Sequence, residues 1–407
     1  MKPQKIVFLS LVQINTLDER GLYQDLLREF VQYGHEVTLV CPVERKVGLS
    51  TRLIKEGRTA ILQVRTLNLQ KSPIFEKGLA TISLNFLLRH AIKKHLPLNT
   101  FDLIVYATPP VTLTGLIRWL KYRDGARTYL LLKDIFPQNA VDIGIFSKKS
   151  VWYRYFRNQE LKLYALSDKI GCMSPANVQY LIEDQPYLSG KVEVNPNSLD
   201  LTRIPKFEID RNALLAQWDI PIDSVVFLYG GNLGKPQGTS FLLKLIKECE
   251  AFSRAYFLIV GDGTDYPVLL SWFNYHKPKC AKLIQGLPKV DFDKLASCCD
   301  VGLILLRREF TIPNFPSRLL TYLENSMPVL AITDEVSDVG KIAEVEGFGK
   351  WSLYGDVANA MRCIRLFEED TVARREMGRR GFDFMSHSYD VKDSYLKIYN
   401  FMVNKSF

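Results

Sequence analysis

Short apolar runs alternate with amphipathic stretches along most of the sequence, and this alternation limits the fold more than any other feature. KIVFLS reads as a buried strand, GLYQDLLREFVQYG as an amphipathic helix stopped at Gly34, and HEVTLVCP as the next strand. FDLIVYATPP, TLTGLIRWLKYRDG, ARTYLLLKDIFP, a helix through YFRNQELKLYALSDK and the strand KIGCMSP follow. Apolar strands separated by helices predict a parallel sheet covered on both faces. The pattern lapses in LDLTRIPKFEIDRNALLAQWDIPIDS and resumes with VVFLYG, SFLLKLIKECE, YFLIVG, YPVLLSWF, AKLIQG, FDKLASCCD, VGLILL, SRLLTYLEN and PVLAITD. The fold class is therefore α/β, with two doubly wound Rossmann-like domains, residues 1–200 and 201–385. A last helix in 386–407 is expected to pack back on the first domain. A chain of 407 residues is long enough for two cores. Ligands of such sheets bind at the carboxyl ends of the strands, so the expected site is a cleft between the two domains.

Charge narrows the partners. The chain has 53 basic and 44 acidic residues, a net charge of +9, which favours an anionic partner. IVFLSLV is short and runs into QINTLDER without a small-residue cleavage site, so it reads as a strand rather than a signal peptide. The longest stretch without an ionised residue, Leu103 to Ile117, contains Pro109 and Pro110 and is too short to cross a bilayer. The seven cysteines are scattered without CxxC spacing, as expected in a reducing, cytoplasmic compartment. Three basic-aromatic segments, FLLRHAIKKHL, LIRWLKYR and SKKSVWYRYFRN, suit either an anionic membrane surface or ordinary solvated helix faces. No nucleic-acid motif accompanies them. The five histidines form no cluster. Asp291-Phe292-Asp293 could suggest a divalent cation, but it precedes KLASCC and reads as a helix cap. No metal and no cofactor is expected.

The sharpest local signal is FLYGGNLGKPQG, residues 227–238. Gly230 and Gly231 end a strand, and Lys235 follows. Glycines there let backbone approach a ligand and expose N–H groups, although a plain tight turn has the same composition. The stretch is not a Walker loop, because Tyr229 stands where the first glycine belongs and Pro236 where Ser or Thr does. YFLIVGDGTDY repeats the device at Gly261, Asp262 and Gly263, and LIQGLP ends a strand at Gln285-Gly286-Leu287. A helix opens near Pro316 and Ser317 with Arg318 in its first turn, and exposed N–H groups at such a start suit a diphosphate.

GGNLG, LIVGDG, the CCDVGLILL strand and PSRLLTYL before MPVLA together resemble the carboxyl domain of the retaining glycosyltransferase family 4, of the GT-B fold. DERGLYQDLLREFVQYGHEVTLVCP is similar to that family's first loop, helix and second strand, and LLKDIFPQNAVDIG to a block of its O-antigen and capsule branch, which includes N-acetylfucosamine transferases. The resemblance covers nearly the whole chain. It implies a UDP-linked sugar donor held in the carboxyl domain by Gly230, Gly231, Asn232, Lys235, Gly261, Asp262, Pro316, Ser317, Arg318, Leu319 and Thr321. Gln285, Gly286 and Leu287 would pack on the base. Arg20 and Gly21 would face the donor from the amino domain. The catalytic set would be Lys235 and Arg318, which neutralise the leaving diphosphate, with Asp134 near the sugar or the acceptor hydroxyl. The acceptor implied is a lipid-diphosphate-linked glycan, and the location peripheral at the inner membrane face. Two glutamates usual in the family fall here at Pro313 and Thr321, neither acidic; Glu324 and Glu309 are the nearest substitutes. Two other readings stand beside the transferase: a GT-B sugar-nucleotide epimerase, and a non-catalytic sugar-nucleotide-binding or scaffold protein.

Overall fold

The computed structural model describes residues 2–68, 74–250 and 254–404. Two compact units divide the chain: residues 1–200 with 390–407, and residues 201–389. The second unit thus closes at Tyr389 rather than at 385.

The first unit contains β1 (Lys5–Leu9), α1 (Leu22–Gln32), β2 (Glu36–Glu44), β3 (Arg52–Glu56), β4 (Thr59–Thr66), α2 (Ile74–His95), β5 (Leu103–Ala107), α3 (Thr114–Asp124), β6 (Arg127–Leu132), α4 (Gln138–Asp142), α5 (Val151–Leu166), β7 (Lys169–Cys172), α6 (Pro175–Asp184) and β8 (Val192–Val194). Its eight strands lie in the order β3-β4-β2-β1-β5-β6-β7-β8. All neighbours are parallel except β3 and β4, an antiparallel hairpin at the edge that the apolar-run pattern does not reveal. RLIKE is half exposed and carries three charges, so it lacks the buried-strand signature. Gly34 adopts φ +87 just beyond α1, the left-handed conformation that ends a helix.

The second unit contains α7 (Arg211–Gln217), β9 (Val225–Asn232), α8 (Thr239–Cys249), β10 (Ala255–Asp262), α9 (Tyr266–His276), β11 (Ala281–Gln285), α10 (Lys289–Ala296), β12 (Val301–Leu305), α11 (Arg318–Glu324), β13 (Val329–Thr333), α12 (Val339–Val345), β14 (Gly349–Leu353), α13 (Val357–Glu369) and α14 (Thr371–Ser388). Its six strands are all parallel, in the order β11-β10-β9-β12-β13-β14. Phe227, Phe257 and Ile259 of the central strands pack with Leu242, Leu245 and Phe367 of the covering helices.

The terminal helix α15 (Val391–Val403) begins at Asp390, whose carboxylate caps it, and joins the first unit. Tyr395, Ile398 and Met402 complete the core that Phe8, Leu27 and Phe30 begin. His35 locks this contact. Its Nδ1 accepts the Gln4 backbone N–H at 3.1 Å, so the ring proton sits on Nε2, 3.1 Å from the Tyr395 hydroxyl. Tyr33 stacks on Tyr395 at 4.4 Å. Burial lowers the His35 pKa, since a charged ring here is desolvated and would lose the Gln4 bond. A base whose folded pKa is depressed contributes fully above its unfolded value, about 6.5, and loses that contribution as pH falls below it. Thermal stability is therefore expected to fall more steeply on acidification in the wild type than in His35→Gln; parallel curves for the two would contradict this.

Candidate active site

In the second unit three strand ends come together. Register sets Gly231 beside Gly261, and Gly261 beside Gln285. The loops beyond are stapled to each other. Leu233 N–H donates to the Asp262 carbonyl at 2.9 Å, and Asp265 N–H to the Leu233 carbonyl at 2.9 Å. Gln237 Oε1 accepts from Gly234 N–H and from Asn232 Nδ2, each at 3.2 Å.

Three of the glycines leave no room for a side chain in this packing. A Cβ at Gly261 would stand 1.9 Å from the Gly231 carbonyl oxygen, one at Gly263 2.2 Å from the Leu233 carbonyl oxygen, and one at Gly230 2.5 Å from the Phe292 ring. Gly231 is different. It is exposed, adopts φ +119, and the nearest group across it is the Arg318 guanidinium, with Nη2 3.6 Å from a built Cβ. Gly286 is likewise open, its nearest neighbour 3.9 Å away.

Arg318 is held by aromatic neighbours that sequence reasoning missed. Its guanidinium lies 4.4 Å from the Tyr229 ring centre, and its buried Nη1 has no hydrogen-bond partner. The Tyr229 hydroxyl donates to the Asn232 carbonyl at 2.7 Å. The Tyr322 hydroxyl donates to the Leu303 carbonyl at 2.9 Å and accepts Gly230 N–H at 3.2 Å. The only sequence signal for this pair is a tyrosine beside the glycines and another one turn after Arg318.

The helix start has few free N–H groups. α11 has seven residues, and the Leu319 and Leu320 N–H groups already donate to the Pro316 and Ser317 carbonyls at 3.2 Å. Leu319 itself is buried in the core at 1% exposure, so it is a packing residue. Ser317 is exposed and its side chain caps nothing. Thr321 is half-buried, and its carbonyl accepts Asn325 Nδ2 at 2.8 Å. Leu287 is half-buried beyond Gly286, and Glu324 half-buried at the end of α11. Lys235 is exposed at the start of a short turn, and its ammonium has no partner among the described residues. Glu309 is bound at both oxygens by Arg307, at 3.0 and 2.7 Å, which holds its pKa below the usual carboxylate range. The Asp291–Asp293 pair is not a cap. α10 starts earlier, after Pro288, and the buried Asp293 carboxylate accepts Lys289 Nζ at 3.0 and 2.8 Å.

In the first unit Gly21 opens α1, its N–H donating to Asp25 Oδ1 at 3.1 Å, with half-buried Arg20 just before it. Asp25 Oδ2 accepts the Asp200 N–H at 3.0 Å, which ties this helix start to the end of the domain. Asp134 follows β6. Burial pushes its carboxyl up to about 6, opposed by Asn139 Nδ2, 2.7 Å from Oδ1. Its neighbour Lys133, not singled out from the sequence, is pushed down to about 7 by burial.

Two doubly wound parallel-sheet domains in tandem define the GT-B class. Solved GT-B structures superpose over the whole chain: sucrose-phosphate synthase of Thermosynechococcus elongatus at 13% identity and TM-score 0.71, covering 98% of each chain, and HepE of Anabaena in complex with UDP-glucose at 14% identity and TM-score 0.71, covering 98% of this chain and 99% of that one. Residues 22–203 match the model of Glycosyltransferase Family 4. Over 291 residues the chain is 25% identical to the probable glycosyltransferase WbjE of Pseudomonas aeruginosa, spanning 69% of this chain and 68% of that protein. The family match, the relative and the fold all point to the same class of similar proteins, glycosyltransferases of GT-B type.

The glycine assignments separate under mutation. Gly261→Ala is expected to cost about 3 kcal/mol or more, because backbone rather than a flexible side chain blocks the methyl. Gly286→Ala is expected to stay within about 0.5 kcal/mol of wild type. Denaturant unfolding of both variants measures this, and equal costs would contradict the packing account.

Proposed function

We propose that the protein is a retaining, metal-independent glycosyltransferase. It moves a sugar, an N-acetylated deoxyhexose such as L-FucNAc, from a UDP-linked donor to a lipid-diphosphate-linked glycan in O-antigen or capsule synthesis. The observation that carries this reading is Arg318, held on Tyr229 beside exposed Gly231 with a buried N–H left unpaired. A desolvated cation with an unused donor suits a diphosphate oxygen. UDP-glucose is the ligand of HepE, and WbjE is the named relative.

As the bond from sugar to phosphate breaks, negative charge builds on the diphosphate. Arg318 is the preorganised cation that favours that state, with exposed Lys235 as a second positive charge, and together they supply charge that a metal would otherwise bring. The open stretch Gln285-Gly286-Leu287 takes the base. Asp134 orients a sugar or acceptor hydroxyl. A membrane surface for the lipid-linked acceptor fits the helices of the first unit: Arg89, Lys93 and Arg123 gather within 4.6–5.6 Å of the Trp119 ring centre, and Phe86 and Tyr122 are exposed nearby in sequence. Among the described residues no helix is long and apolar enough to cross a membrane.

Arg318→Ala and Lys235→Ala are each expected to cut sugar transfer about tenfold or more. Thermal stabilisation by UDP, against GDP, ADP and CMP, is expected in the wild type and to weaken in Arg318→Ala. Stabilisation by none of the four, or normal turnover in both variants, would overturn the donor assignment. Asp134 gives a second test. Its folded pKa lies above the unfolded value, so its ionised form destabilises the fold at neutral pH, and that cost is relieved progressively as pH falls below about 6 and is gone below the unfolded value, 3.8. Asp134→Asn is expected to raise the melting temperature at neutral pH while lowering transfer, and to abolish the acid limb of the pH–rate profile near pH 6. An Asp134→Asn enzyme with wild-type rate and profile would remove Asp134 from the mechanism.

A further inference from the structure

The carboxyl edge of the first sheet holds a half-buried donor, Lys133, and a buried acceptor, Asn195, that the protein leaves unmatched. Lys133 directly follows β6, and Asn195 directly follows β8. Both line one cavity of about 10 Å³, the room that a single water-sized group needs. No carboxylate lines it, and the Lys133 ammonium has no hydrogen bond or ion pair among the described residues. Asn195 is 0% exposed, and the orientation of its amide is fixed. The Tyr129 hydroxyl spends its one proton on Glu193 Oε1 at 2.6 Å, so Asn195 must turn Nδ2 toward that hydroxyl, 2.8 Å away. Asn195 Oδ1 then faces away from Tyr129 and has no partner.

A group that fills such a space must accept from an ammonium and donate to a carbonyl oxygen. A hydroxyl does both. A carboxylate or phosphate oxygen without a proton satisfies Lys133 and leaves Asn195 Oδ1 repelled. We propose that Lys133 and Asn195 form a subsite for one sugar hydroxyl, with Lys133 Nζ donating to its oxygen and Asn195 Oδ1 accepting its proton. The transferase reading supplies the source of that hydroxyl, the acceptor glycan; the pairing rests on the cavity alone.

Two measurements test it. In trace acylation near neutral pH, read by peptide mass spectrometry, Lys133 is expected to be protected about tenfold by at least one methyl glycoside among those of glucose, galactose, N-acetylglucosamine and L-fucose, with no protection of Lys235 and none from glycerol. If no glycoside protects Lys133, the cavity holds a structural water and the proposal falls. In transfer assays with UDP-sugars and a lipid-linked acceptor fraction, Lys133→Met is expected to lose about tenfold or more in acceptor kcat/KM, with the UDP-induced thermal shift unchanged. Wild-type acceptor kinetics in that variant would also overturn it. Protection by a glycoside in an enzyme that transfers nothing would keep the subsite and reject the transferase reading.

Discussion

The candidate donor site depends on β9 and β10 approaching more closely than any side chain permits. The Gly231 carbonyl occupies the space where a Cβ on Gly261 would stand, and the Leu233 carbonyl does the same at Gly263. That approach lets the two loops exchange backbone hydrogen bonds and become one rigid element. The rigid element fixes Tyr229, whose hydroxyl ties back to Asn232, and Tyr229 in turn fixes the plane of Arg318. Charge is thereby positioned before any ligand arrives, the condition under which electrostatic stabilisation costs no reorganisation.

Arg318 offers a ligand its side chain more than the helix it begins. A seven-residue helix with two early N–H groups already bonded offers little free dipole. The guanidinium keeps a buried N–H unpaired, an energetic cost that a folded protein retains where a ligand repays it. Asp134 and Lys133 show the same economy in the other unit, a carboxyl pushed up and an amine pushed down at adjacent positions after one strand. Both are groups whose burial costs stability, set at the strand end where doubly wound sheets bind their ligands.

The alternation of apolar runs and amphipathic stretches made the α/β class and both parallel sheets legible, because burial on two faces leaves an unbroken apolar run in the sequence. Half-exposed edges carry no such run, so β3, β14 and the hairpin turn at Gly57 were illegible. The glycines were visible, but their purpose was not: only coordinates distinguish a glycine facing its own chain at 1.9 Å from one facing open space. Asp291 and Asp293 misled because α10 starts two residues before Asp291. Lys133 and Asn195 sit in separate segments without a motif, and their relation exists only once β6, β7 and β8 align.

The central claim is that Arg318 and the β9 end hold a diphosphate. Titration calorimetry with UDP and with UMP tests it most directly, since the two ligands share base and ribose and differ by one phosphate. The account requires UDP to bind about tenfold or more tightly than UMP, a difference of about 1.4 kcal/mol, and requires Arg318→Ala to erase most of that gap. Equal affinity for the two nucleotides, or a gap that survives loss of Arg318, would contradict it.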